Sequence, residues 1–563
     1  MISRREFMTA ASATAALLAG SGVPLGRLAA EGRLTQDNLL SFDATGNVTL
    51  IHLTDLHAQL VPIYFREPSV NLGVGDSKGR VPHLTGGEFR KAFKLSDGSA
   101  MAYALTADDF DGLARGYGAM GGLDRVATVI KAIRAERGDR VLLLDGGDTW
   151  TNSWTSLKTK GQDVVEAMAL LKPDAMTAHW EFTLGAERVR ELVGGLDYPL
   201  LAQNVREKEF EEKVFDGSRI FERGGAKIGV IGQSFPYTPI SNPRWMFPDW
   251  TFGLREKELA SEIESLRAQG ADLVVLLSHN GFDVDRKLAE RVQGLDVILS
   301  GHTHDAVPEV TLVGKTLLVA SGSNGKFVSR LDLDVQSKRI AGFRYRLIPV
   351  FADVITPDAE MKAHIEAARA PYANELARVL GHTDGLFYRR GNFDGTLDTL
   401  ICDAISEQRD VEISLSPGVR WGPSFLPDSP ITFEDITNAT AMSYPACYRM
   451  TMTGARLKEV FEDVADNIFN PDPYLQQGGD MVRCGGLGYT IDIAQPIGRR
   501  ISNLTLLRTG EPLDASKSYT VGGWASVNEG TEGPPIWDVV SDYISSKKVV
   551  SARTSTAVNV KGA

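Results

Sequence analysis

Cysteine is scarce in this chain of 563 residues: Cys402, Cys447 and Cys484 are the three, and no Cys-x-x-Cys occurs. That excludes a disulfide framework and a cysteine-based zinc knot. No stretch reaches ~18 consecutive apolar residues, so no membrane span is expected. Positive charge is not in excess either: 60 Lys and Arg face 72 Asp and Glu, a formal charge of −12. An acidic chain is a poor match for a phosphate backbone, so no nucleic-acid partner is expected. The remaining composition is ordinary globular stock, 43% hydrophobic and 23% charged, with 56 glycines that point to many tight loops. The length exceeds what one core serves, so two large domains are expected.

The N-terminus has the layout of an export address. Ser3-Arg4-Arg5-Glu6-Phe7-Met8 precedes an apolar run from Thr9 to Leu18, and Leu28-Ala29-Ala30 offers a small-residue cleavage site. The paired arginines resemble a twin-arginine signal over residues 1–30, which implies a periplasmic protein that crosses already folded. A weakly binding metal could then be loaded in the cytoplasm, away from tighter-binding competitors.

From Val48 the chain repeats one theme, a short β-branched run ending in a loop and often followed by a helical pattern. The runs are 48–53, 140–145, 227–232, 272–278 and 296–301. Near-continuous apolar strands of this kind belong to α/β sheets covered on both faces. Helical spacing is seen at Leu123–Arg137 and Leu254–Gln269, and 315–335 reads as a hairpin around Ser-Asn-Gly. Residues 60–120 show no clear period and read as an insert near the end of the first strand. A catalytic domain is therefore expected over 46–355, a linker helix over 356–380, and a second domain over 381–555 with helices at Leu397–Arg409 and Gly454–Asn467.

Chemistry-bearing residues fall just after the strands. Asp55 and His57 follow the first; Asp148 follows the second in Gly146-Gly147-Asp148. His179 follows Asp174-Ala175-Met176, His279 follows 272–278, and His302 and His304 lie in Ser300-Gly301-His302-Thr303-His304. Parallel strands deliver their C-terminal ends to one side of a sheet, so these seven would converge in one crevice. Imidazole with carboxylate suits Mn, Fe or Zn, and seven ligands exceed one tetrahedral site, so two metals are implied. A shared carboxylate can hold two ions about 3.5–4 Å apart. His52, His83, His364 and His382 lie outside this order, and Cys402 sits on an apolar helix face.

The order Asp-x-His, Gly-Gly-Asp, His before Glu-Phe, Ser-His-Asn and Gly-His-Thr-His resembles the calcineurin-like metallophosphoesterases. The second domain makes the chain similar to the 5′-nucleotidase superfamily in particular. The resemblance implies a four-layer αββα catalytic domain, a linker helix and a smaller α/β substrate-binding domain. It also implies one metal site of Asp55, His57, Asp148 and His304, and a second of Asp148 (bridging), His179, His279 and His302. One departure stands out. Where the family has Gly-Asn-His-Glu-Phe-Asp, this chain has Ala178-His179-Trp180-Glu181-Phe182-Thr183. Trp180 thus replaces the catalytic His and Thr183 its Asp partner.

That departure, with the phrases at 179–185, 414–422 and 478–486, resembles the thiosulfohydrolase (SoxB) family. The resemblance implies two manganese ions, although other divalent metals suit the same ligands. It implies release of sulfate from a cysteine-S-thiosulfonate on a SoxYZ-type carrier with a cysteine swinging arm, in bacterial thiosulfate oxidation. The chemistry agrees. A persulfide leaves far more readily than a sugar alkoxide, since even an ordinary thiol has a pKa of about 8.5, so a general acid is dispensable. The expected nucleophile is a metal-activated hydroxide held by Asp148. Arg420, after Ser416-Pro417-Gly418-Val419, holds the position at which nucleotidases bind the transferred group, and its planar fork suits a sulfonate. Of the two aromatics that sandwich a base in nucleotidases, the first slot is Ala446 and the second Trp524. Gly478–Gly488 reads either as a tight hairpin or as small residues admitting a carrier's backbone, and Cys484 as a packed side chain. The alternative function is a periplasmic 5′-nucleotidase or other dimetal phosphoesterase. A non-catalytic binding protein is a third reading, opposed by the intact ligand set.

Overall fold

The computed structural model describes residues 34–554 and 557–562, so the export signal read at 1–30 lies outside the described residues. The chain forms two compact units. Among the described residues, one comprises those up to Ile63 with Gly86–Thr151 and Lys158–Pro371; the other comprises Tyr64–Thr85, Asn152–Leu157 and those from Tyr372 onward.

In the first unit the apolar runs become strands: β1 (Val48–Leu53), β2 (Val141–Asp145), β3 (Ala175–Met176), β4 (Ser218–Arg223), β5 (Ala226–Gln233), β6 (Leu273–Ser278), β7 (Val297–Ser300), β8 (Thr311–Val313), β9 (Thr316–Ala320), β10 (Phe327–Gln336) and β11 (Arg339–Pro349). They make two sheets, in the orders β11-β10-β1-β2-β3 and β8-β9-β7-β6-β5-β4. The strands that carry the candidate ligands run parallel within each sheet. Every residue of β1 and β6 is buried, because each sheet has a partner on both faces. Leu50, Leu142 and Leu144 of one sheet meet Val275, Leu277 and Leu299 of the other in a shared core. The outer faces are covered by helices: Leu123–Arg137 lies on β2 and β10, Glu256–Ala268 on β5 and β6, and Phe282–Arg291 on β7 to β9. The result is the four-layer αββα arrangement.

One expectation is corrected here. Residues 315–335 are not a hairpin, because β9 joins the second sheet and β10 the first. The connection has turn chemistry, with Gly322, Asn324 and Gly325 all at positive φ. Here, however, it carries the chain across the core between two sheets that are each buried on both faces. Residues 60–120 hold three helices, Gly86–Phe93, Ala100–Leu105 and Phe110–Tyr117. At six to eight residues each, they are too short to show a repeating helical period. Farther on, Asp358 caps the helix Ala359–Arg369 by accepting the N–H of Met361. A tighter turn at Ala370–Tyr372 follows, and the boundary between units falls at Pro371.

Among the described residues, the second unit is a mixed α/β body with three small sheets. One has the order Tyr448–Thr453, Ser518–Gly523, Ile413–Gly418, Asp480–Gly485. Helices Thr396–Arg409 and Gly454–Phe469 lie where helical spacing placed them, and Cys402 is buried on the first. The Gly-rich stretch 478–488 is not a tight hairpin. Asp480–Gly485 and Leu487–Asp492 are strands of different sheets, joined at Gly486 (φ +79°). A Cβ there would stand 2.3 Å from the Glu412 carbonyl oxygen, so the crossing requires glycine. Among the described residues, no helix is long and apolar enough to cross a membrane.

Candidate metal centre

The seven candidate residues lie after the C-terminal ends of β1, β2, β3, β6 and β7, so both sheets of the first unit contribute, not one. The loops after β1 and β2 are zipped together. Asp55 N–H donates to Gly147 O (2.8 Å), His57 N–H to Asp148 O (2.8 Å) and Ala58 N–H to Thr149 O (2.9 Å). Five of the seven, Asp55, His57, Asp148, His302 and His304, are held at positive φ. Non-glycine residues avoid that region unless their surroundings over-determine it, and such clusters mark functional sites.

The side chains converge in two groups that share one carboxylate: Asp55, His57, Asp148 and His304, and Asp148, His179, His279 and His302. In each, ligand atoms from every member lie within 4.8 Å of one another. All are buried except His302, which is half-buried. His52, His83, His364 and His382 belong to neither group. His52 is buried with its Nδ1 2.6 Å from the Ser321 hydroxyl, and burial pushes its pKa down to about 3.

Hydrogen bonds fix which nitrogen of His279 and of His179 faces inward. Nδ1 of His279 is 2.6 Å from the Gly146 carbonyl, which can only accept, so Nδ1–H donates. Its other nitrogen, Nε2, then faces Asp148 Oδ2 at 3.1 Å. Likewise His179 Nε2–H donates to Asn242 Oδ1 (3.0 Å), which turns Nδ1 toward Asp148 Oδ2 at 3.4 Å. The Nε2 atoms of His57 and His304 stand 2.9 Å apart, and His304 Nε2 is 3.2 Å from Asp55 Oδ1. Ring nitrogens and carboxylate oxygens crowded this closely call for positive charge between them. Burial would raise Asp148 and Asp55, but the adjoining imidazoles outweigh it and hold both carboxyls below their ordinary range. His279, which burial would lower, is instead pushed up to about 10 by Asp148 and Asp55. Two divalent cations would supply the same charge, so the donor set fits two metals. The sign gives a test. The upward shift of His279 predicts that metal uptake near pH 8 releases protons, measured with an indicator dye in weak buffer.

One buried residue organises this centre without being a ligand. Glu181 accepts backbone N–H bonds from Thr149 (2.6 Å), His179 (2.9 Å), Asp148 (3.3 Å) and Trp150 (3.3 Å). It locks the Asp148 loop to the His179 loop. The Glu-Phe pair served above only to align the motif, and a buried acid two residues from a His was the signal for this role. Asn242, which sets the His179 tautomer, lies 63 residues from its partner and left no local signal. Glu181→Gln places an amide donor among these donors. Metal affinity should fall about 10- to 100-fold, the usual cost of losing a partner behind the ligands, as read by metal titration.

Trp180 is half-buried beside His179, and its backbone N–H donates to Asp148 Oδ1 (2.7 Å). Thr183 is buried, and its hydroxyl donates to the Trp180 carbonyl (2.7 Å). In the second unit Arg420 is buried, with Nη2 donating to Gly479 O (2.7 Å) and Asp480 Oδ1 (3.3 Å). Trp524 is buried, its indole N–H bonded to Ser416 Oγ (2.8 Å). Cys447 is buried and Cys484 half-buried, and burial pushes their thiols up to about 11 and about 12, the behaviour of packed cysteines.

Comparison with known proteins places this geometry. Residues 379–541 match the family model of the 5′-nucleotidase C-terminal domain. The chain is 25% identical to 5′-nucleotidase of Rattus norvegicus over 511 residues, covering 79% of this chain and 86% of that one. It is 26% identical to the snake venom 5′-nucleotidase of Naja atra over 460 residues (73% and 84%). A 5′-nucleotidase precursor from Thermus thermophilus shares the fold, with a TM-score of 0.72 and 21% identity over 92% of this chain and all of the other. The sulfate thiohydrolase SoxB of Thermus thermophilus, solved with glycerol, superposes with a TM-score of 0.89. It is 37% identical and covers 93% of this chain and 98% of its own. On that likeness over nearly its whole length, the chain belongs to the SoxB family, built on the metal-dependent hydrolase fold of the 5′-nucleotidase superfamily.

Proposed function

We propose that the protein is a dimanganese thiosulfohydrolase. It would release sulfate from a cysteine-S-thiosulfonate on a SoxYZ-type carrier in the periplasm, after twin-arginine export. Water oxygen bonds to the sulfonate sulfur and the S–S bond breaks. The persulfide leaves with the electron pair, and sulfate and two protons complete the balance. When bound, two divalent cations supply Lewis acidity and lower the pKa of water. Asp148 is the carboxylate common to both groups, and its Oδ1 is held by Trp180 N–H. Arg420 is assigned to the sulfonate oxygens by the family resemblance.

The observation that carries the sulfur reading is position 180. Both metal groups are complete, yet the residue where nucleotidases keep a titratable His is an indole. The Thr183 hydroxyl in place of its carboxylate partner is spent on the Trp180 carbonyl. A persulfide needs no protonation to leave, so the loss costs a thiosulfohydrolase little and a nucleotidase much. The test is metal analysis of protein purified without chelator, with sulfate release assayed from a sulfonated SoxYZ-type carrier. About two manganese ions per chain and metal-dependent sulfate release are expected. A loaded protein that leaves the sulfonated carrier intact and hydrolyses nucleotides efficiently is instead a 5′-nucleotidase.

A further inference from the structure

The motif Gly478–Gly486 is not used by the metal centre, and in the structure it carries a device of its own. The strand Asp480–Gly485 pairs antiparallel with Ile413–Gly418, Gly418 opposite Asp480 and Ser416 opposite Arg483. Gly418 permits the close approach: a Cβ there would lie 2.2 Å from the Asp480 carbonyl oxygen. Two residues beyond Gly418 is Arg420, whose Nη2 donates to Asp480 Oδ1 (3.3 Å). The other oxygen, Oδ2, accepts from Arg483 Nη2 (3.3 Å). Arg483 Nε lies 3.3 Å from Asp398 Oδ2, and Asp398 Oδ1 accepts from Arg389 Nε (3.0 Å). Arg389 closes the circuit, its Nη1 donating to the carbonyls of Ala439 (2.8 Å) and of Trp421 (3.3 Å), the neighbour of Arg420.

Five basic and acidic side chains thus alternate, Arg389–Asp398–Arg483–Asp480–Arg420, and none is more than 8% exposed. Burying so many charges is a poor way to gain stability, since apolar residues of similar volume do as well. What it provides is fixed geometry. A lone carboxylate beside a guanidinium closes on it with both oxygens and occupies the fork an anion would use. Asp480 is prevented from doing so: Oδ1 is shared with Asn392 Nδ2 (3.2 Å) and Oδ2 is taken by Arg483.

We propose that Arg483, backed by Asp398 and Arg389, is a positioning residue: it holds Asp480 open so that the Arg420 guanidinium stays oriented toward a sulfonate or sulfate group. The proposal rests on the reading of Arg420 as an anion-binding residue.

The experiment is calorimetric titration of the manganese-loaded, full-length protein with sulfate. Arg420→Ala should weaken binding roughly 10-fold or more, the scale of a charged hydrogen bond. Arg483→Gln should weaken it several-fold, and Arg483→Lys should restore only part, because an ammonium cannot span two carboxylates as a fork does. In the Arg420→Ala background, Arg483→Gln should change sulfate affinity by less than about 2-fold, since its effect passes through Arg420. A purely structural role would weaken binding equally in both backgrounds, and that result overturns the proposal. So does wild-type affinity in both Arg483 variants while Arg420→Ala is impaired. Wild-type affinity in Arg420→Ala itself removes the underlying reading instead. Should Arg483→Gln fail to fold, Arg483→Lys alone and combined with Arg420→Ala gives the same comparison.

Discussion

Asp148→Ala should reduce bound metal from about two ions per chain to nearly none, because one carboxylate serves both groups. Asp148 Oδ2 is 3.1 Å from His279 Nε2, 3.4 Å from His179 Nδ1 and 4.0 Å from His57 Nε2, and Asp148 is the residue that both groups share. Without it, three imidazoles lose the charge that balances a bound cation. Its loss also removes the Oδ1 that accepts the Trp180 backbone N–H. Asp55→Ala should differ, since Asp55 belongs to one group, and about one ion should remain. Turnover in Asp148→Ala should fall by more than about 10³-fold, beyond the cost of losing a single oxyanion donor. Metal content by elemental analysis, set beside activity for both variants, makes the comparison. Two ions retained in Asp148→Ala would show that the carboxylate does not bridge.

The sequence made the first unit's strands legible because their signal is local. A run such as 272–278 is apolar throughout since both faces of β6 are buried, and no tertiary knowledge is needed to read that. The ordered ligands were legible for the same reason: each sits a residue or a few past such a run, and parallel strands carry those ends together. What stayed hidden depends on partners far along the chain. That β9 and β10 lie in different sheets is decided by which strands accept their hydrogen bonds, and the Ser-Asn-Gly turn between them looks the same either way. That residues 64–85 belong with the second unit rests on contacts such as Glu67 with Arg390 and Arg66 over Tyr388, each more than 300 residues apart in sequence. Arg389 and Asp398 likewise gave no motif, because their charges have meaning only opposite Arg483.

AMP should be a poor substrate even with manganese supplied, its kcat/KM at least about 10²-fold below that on the sulfonated carrier, the low end of what a positioned acid contributes. The two reactions can share a dimetal clamp, since phosphate and sulfonate are both tetrahedral anions. They differ in the group expelled. A ribose alkoxide must be protonated or strongly stabilised as it departs, whereas a persulfide departs as a stable anion. The chain offers no acid at the place where the nucleotidases resemble one another. Trp180 has only an indole N–H to donate and cannot cycle a proton at neutral pH. Thr183 holds the turn through the Trp180 carbonyl and has no carboxylate with which to orient an imidazole. Trp524, the remaining aromatic of the base sandwich, is buried and bonded to Ser416, and Ala446 supplies no ring to face it. Phosphate release from AMP, measured beside sulfate release from the carrier on the same metal-loaded preparation, reads the ratio directly. The double substitution Trp180→His with Thr183→Asp should move that ratio toward AMP while leaving metal content unchanged. If the unaltered protein already hydrolyses AMP as well as it does the carrier, the indole at position 180 is no barrier to alkoxide departure. The sulfur assignment then loses the observation on which it stands.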